Sequence, residues 1–82
     1  MKLPELNKDL EATVVSVNGD TRFISRVTSI GITPGCRIRM IKNEKRLPLL
    51  VFSRDSMIAL NRNECEGIEV ELCEETVQKE VI

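Results

Sequence analysis

The chain has 82 residues and a formal net charge of -1, from 12 basic and 13 acidic side chains. That length suits one small domain, and the near-even balance argues against a general phosphate-backbone binder, which carries a large basic surplus. Hydrophobic residues make up 41% of the chain while Phe23 and Phe52 are its only aromatics, so a modest core of Val, Ile, Leu and Met is expected.

The charges are unevenly spread. Most basic side chains fall between Arg22 and Arg46, and seven acidic ones between Glu64 and Glu80. No apolar run is long enough to span a bilayer. The N-terminal segment lacks the apolar stretch of a signal peptide, so a cytoplasmic location is expected. Cys36, Cys65 and Cys73 are odd in number and lack CxxC spacing, the usage of reduced thiols rather than of a disulfide framework.

In chain order, residues 1–9 are a polar lead-in that Leu3 and Leu6 can anchor to a core. Glu11 to Val17 is β-branched and reads as a first strand. Asn18-Gly19 ends it, both residues tolerating positive φ. Asp20 suits a helix N-cap, because its carboxylate accepts from free N–H groups of the first turn. Phe23, Ile24, Val27 and Ile30 then recur as one helical apolar stripe, with Arg22, Arg26 and Ser29 opposite. Gly31 stands where a left-handed C′ residue belongs, with Ile32 able to pack back on Val27. Thr33-Pro34-Gly35 has the chemistry of a type II turn.

Cys36 to Ile41 alternates, with Cys36, Ile38 and Met40 on one face and Arg37 and Arg39 on the other. Lys42 to Arg46 is a charged loop, and Leu47 to Phe52 the next expected strand. Ser53-Arg54-Asp55-Ser56 reads as a hairpin turn leading into Met57 to Leu60. Asn61 to Gly67 fits a single helical turn or a loop, and Ile68, Val70 and Leu72 alternate in a last strand. Residues 1–73 are thus expected to form one domain, with 74–82 a loose acidic tail. The pattern predicts a mostly β fold of about five short strands. The helix lies between the first two, and the strands form a small, partly open antiparallel barrel.

The order of these pieces resembles the ferrous iron transport protein A (FeoA) family. The resemblance rests on Gly19-Asp20, on Arg22 and Arg26 in the helix, and on Ile30-Gly31-Ile32-Thr33-Pro34-Gly35. It continues through Ile58-Ala59-Leu60-Asn61-Arg62, Glu64-Cys65 and Ile68-Glu69-Val70. The sequence departs from the family pattern in the loop from Lys42 to Pro48, at Arg54-Asp55 in the hairpin turn, and at Lys8-Asp9 and Ala12 near the first strand. The resemblance implies an SH3-like barrel. It also implies an accessory role in bacterial ferrous iron uptake, through contact with FeoB, a membrane transporter with a GTP-binding domain.

The chemistry of the residues points to binding rather than catalysis. Without histidine no nucleophile–base pair is available to Ser25, Ser53 or Ser56, and Gly19 and Gly35 are single turn glycines, not a phosphate-cradling loop. No metal ligand set or cofactor site is expected, although an intrinsic transition-metal site in the acidic region is an alternative. Arg22, Arg26 and Arg54 are the candidate partner contacts. For Arg22 and Arg26 two readings stay open: a solvated face with an ion pair, or a patch for a partner, including an arginine supplied in trans to a GTPase. Arg37 and Arg39 are expected to pair with Glu69 and Glu71 if their strands are neighbours. A metal-responsive repressor-type regulatory domain is a further alternative. An RNA-binding barrel is disfavoured, since Phe23 and Phe52 both suit the core and leave no stacking platform.

Overall fold

The computed structural model describes residues 1–73, so the expected tail lies outside the described residues. Five strands occur in the order β1 (Glu11–Val17), β2 (Arg37–Lys42), β3 (Leu49–Ser53), β4 (Ser56–Leu60) and β5 (Ile68–Leu72), with helix α1 (Thr21–Ser29) between β1 and β2. Short 3₁₀ turns at Leu3–Glu5 and Glu64–Gly67 precede β1 and β5. The strands form one antiparallel sheet in the order β4-β3-β2-β1-β5. Register shifts between Val14 and Ser16 and between Met40 and Lys42 mark irregularities in the ladder, which bend strands and raise local twist.

The curled sheet encloses an aliphatic core. Ala12 and Val14 of β1, Ile38 and Met40 of β2, Leu49 and Val51 of β3, and Ile68 and Val70 of β5 all face inward. Leu3 and Leu6 are fully buried, as expected. Asn43 holds them there by donating from Nδ2 to the carbonyls of Pro4 (3.0 Å) and Leu6 (2.8 Å).

The helix follows its local chemistry. The Phe23 N–H donates to Asp20 Oδ1 at 2.8 Å, satisfying an orphan donor of the first turn. At the other end the Ile32 N–H donates to the Val27 carbonyl (2.8 Å) and the Gly31 N–H to that of Thr28 (3.1 Å), the two bonds of a Schellman stop. Gly31 sits at φ +97°, in the left-handed region. The turn after it closes when the Cys36 N–H donates to the Thr33 carbonyl at 3.0 Å, with Gly35 at φ +95°. Phe23 and Val27 are buried, but Ile30 is 43% exposed. Ile30 is the C-cap, with ψ 6°, so its side chain leaves the stripe that the sequence assigned to it.

Two further expectations are corrected. β3 starts at Leu49, not Leu47. Pro48 has no N–H for a ladder, the Leu47 N–H donates to the Glu44 carbonyl (3.1 Å), and the Leu47 carbonyl accepts from Arg62 Nε (3.2 Å). Arg37 and Arg39 do not oppose Glu69 and Glu71, because β1 lies between β2 and β5. Arg37 instead lies 4.0 Å from Glu11 of β1. The β3–β4 hairpin turns at Arg54 (φ +50°) and Asp55 (φ +69°), with Ser53 paired to Ser56.

Candidate functional site

The three candidate arginines fall on two different surfaces. Arg22 and Arg26 are both exposed on α1. Arg26 is engaged within the molecule: its guanidinium pairs with the Glu64 carboxylate and lies 5.6 Å from the centre of the Phe23 ring. That contact ties α1 to the 3₁₀ turn before β5, which is the ion-pair reading of this residue. Arg22 makes no ion pair among the described residues.

Arg54 belongs elsewhere. It lines a shallow groove of about 230 Å³ together with Glu11, Arg37, Ile38, Arg39 and Phe52. A Cβ placed on Gly31 would sit 3.9 Å from Arg54 Cδ, so the arginine stem passes over the helix stop. The elements that sharpen α1 and the β3–β4 turn thus also set where this side chain lies. Arg37 and Arg39 reach the groove because strand alternation turns them outward while Ile38 and Met40 enter the core. Sequence reasoning placed these two arginines on the solvent face but assigned them to the wrong partners. It placed Phe52 in the core, yet this ring is 39% exposed. The alternation of β3 was the available signal, since Leu49, Val51 and Ser53 are the buried positions.

Among the described residues no group of three or more His, Cys, Asp or Glu side chains is placed to hold a metal ion. The acidic side chains near α1 are occupied: Asp20 caps the helix, Glu64 pairs with Arg26, and Glu66 lies 3.4 Å from Lys2. Cys65 is fully buried, and burial, followed by the negative charge of Glu64, pushes its thiol up to about 12. A thiol so disposed is a small hydrophobe, not a nucleophile. Cys36 is buried and Cys73 half-buried, its Sγ 3.5 Å from Thr13 Oγ1.

Arg62, singled out in the sequence, has a structural task. Its guanidinium donates to the carbonyls of Glu44 and Leu47, clamping the loop that follows β2. Among the described residues no helix is long and apolar enough to cross a membrane.

A bent five-stranded antiparallel sheet with one helix after its first strand defines a small SH3-like module. The FeoA domain model matches residues 1–72, and the chain belongs to that family. The same fold appears in solved structures. An iron uptake regulatory protein described as FeoA superposes with a TM-score of 0.84 at 19% identity, covering 89% of this chain and 97% of that one. FeoA from Chlorobium tepidum gives 0.79 at 28% identity, over 88% and 70%. FeoA from Stenotrophomonas maltophilia, solved with zinc and described as a prokaryotic SH3-domain protein, gives 0.75 at 28%, over 87% and 89%. No curated protein sequence matches the chain. Membership of this family supports a role in ferrous iron transport.

Proposed function

We propose that this protein is a cytoplasmic accessory factor of ferrous iron transport that acts by direct contact with a FeoB-type GTP-binding transporter. The observation that carries the reading is the family match across residues 1–72. The outward-facing arginines and exposed apolar side chains support contact as the mode of action. Among the described residues the buried Cys65 is held as a thiol, and the acids beside α1 are used in a cap and in ion pairs. Residues 1–73 act as the contact domain.

The test is capture of the transporter's GTP-binding cytosolic portion by the immobilised chain, with GTP hydrolysis followed in parallel. Saturable capture is expected. Failure to capture at micromolar concentrations, with or without GTP, contradicts the reading. If hydrolysis is stimulated, Arg22→Ala distinguishes an arginine supplied in trans from a purely scaffolding contact. Arg26 is the weaker candidate for such a role, because Glu64 already holds it.

A further inference from the structure

The solvent face of the sheet carries a row of side chains that crosses four strands. The pairing registers set Glu11 opposite Arg39, Arg39 opposite Phe52, and Phe52 opposite Met57. The row runs from an acid through a cation to an aromatic ring and a thioether. Phe52 is 39% exposed and Met57 59%, and adjacent exposed apolar side chains rimmed by charge mark contact surfaces. Glu11 is drawn toward Arg37, 4.0 Å away. Arg39 and Arg54, on the same groove, have no carboxylate partner among the described residues. The chain as a whole is nearly balanced at -1, so the positive charge of this patch is local.

The row ends at an open edge. At the far side of the sheet, β5 is covered by the Lys2–Glu69 bridge and by the Val70 N–H donating to the Met1 carbonyl at 2.7 Å. β4 has no strand beyond it among the described residues.

We infer that this face docks an acidic segment of a partner polypeptide, seating an apolar side chain on Phe52 and Met57 and its carboxylates on Arg39 and Arg54. The inference rests on the protein-contact reading above and specifies its surface. Guanidinium forks match carboxylates in paired hydrogen bonds. Aromatic and methionine side chains supply the anchoring area. The free edge of β4 offers alternating N–H and C=O groups, which another polypeptide backbone can pair and a nucleic acid cannot. A wholly apolar partner would strip water from two arginines without supplying a counter-charge.

The test uses the full chain and a short fluorescent peptide alternating Glu or Asp with Leu or Phe. A matching peptide with Lys at the acidic positions and a uridine oligonucleotide serve as rivals. Saturable binding of the acidic peptide is expected, weakened about tenfold or more by Arg39→Glu and by Phe52→Ser, and unchanged by Lys8→Ala. The double variant Arg39→Glu, Arg54→Glu should prefer the Lys peptide, a swap that a misfolded chain cannot produce. Absence of saturable binding, tighter binding of the oligonucleotide, or insensitivity to Arg39→Glu overturns the proposal. Capture of the transporter portion separates the two claims. If wild type captures it and the Arg39→Glu and Phe52→Ser variants capture it equally, the docking face is wrong and the functional reading stands. If the peptide binds as expected and the transporter portion is not captured, the docking face stands and the named partner is wrong.

Discussion

Gly67 and Gly31 are both required, for different physical reasons. Gly31 needs its left-handed φ of +97°, yet a side chain there would meet only ordinary contact. Gly67 has no such backbone requirement, but a Cβ on it would fall 2.0 Å from the Asn18 carbonyl oxygen. The Asn18 N–H also donates to the Gly67 carbonyl at 2.8 Å, joining the end of β1 to the turn before β5. Gly31→Ala should therefore cost about 1 kcal/mol through backbone strain. Gly67→Ala should cost more, about 2–3 kcal/mol, because backbone must move. Denaturant midpoints of the two variants rank them, and a Gly67→Ala midpoint above that of Gly31→Ala contradicts the close approach. Only Gly31 was legible in the sequence, since its constraint lies in the local turn, whereas that of Gly67 comes from a residue forty-nine positions away. Cys65 gives a second residue-scale prediction. Its thiol is raised from 9.0 to about 12, first by burial. The unfolded chain therefore loses that proton at lower pH than the folded one, and bound protons then favour the folded state. This contribution is complete below pH 9 and is lost progressively as pH rises toward 12. Replacing Cys65 with Ala should flatten the fall of stability above pH 9, measured by urea denaturation across the alkaline range; an unchanged slope contradicts a protected thiol.

At the scale of elements, the helix and its two ends were readable because each signal acts within a few residues. Asp20, Gly31 and Pro34-Gly35 each fix one turn of chain. Asp20→Ala removes the acceptor of the Phe23 N–H and should cost about 1 kcal/mol, lowering the thermal midpoint by roughly 4–8 °C for a domain of this size. Asp20→Asn, which keeps a side-chain acceptor, should lose much less, and equal losses in the two variants contradict capping as the cause. The start of β3 has one local signal, Pro48, which has no N–H for a ladder, and one that acts at a distance, Arg62, fifteen residues from the Leu47 carbonyl it binds. Likewise Ile30 has an apolar identity that suits the helix stripe, but the C-cap backbone turns it outward.

For the whole molecule, strand count, helix position and the antiparallel barrel were legible from alternation and turn chemistry, whereas sheet order was not. Placing β1 between β2 and β5 separates Arg37 and Arg39 from Glu69 and Glu71. The β2–β3 and β3–β4 registers, in turn, align Arg39 with Phe52 and Met57. The candidate surface exists only through those pairing registers, which explains why the sequence pointed to the arginines of α1 and to Arg54 but not to the row beside Arg54. The proposed role of this barrel is to serve ferrous iron transport by touching a protein. Its most direct measurement is an amide chemical-shift map of the labelled chain, titrated with the transporter's GTP-binding cytosolic portion and, separately, with Fe(II) under reducing conditions. Saturable shifts from the protein are expected, concentrated on Arg37 to Arg39 and Phe52 to Met57. An unchanged spectrum with the protein, together with saturable shifts from Fe(II) alone, would contradict it.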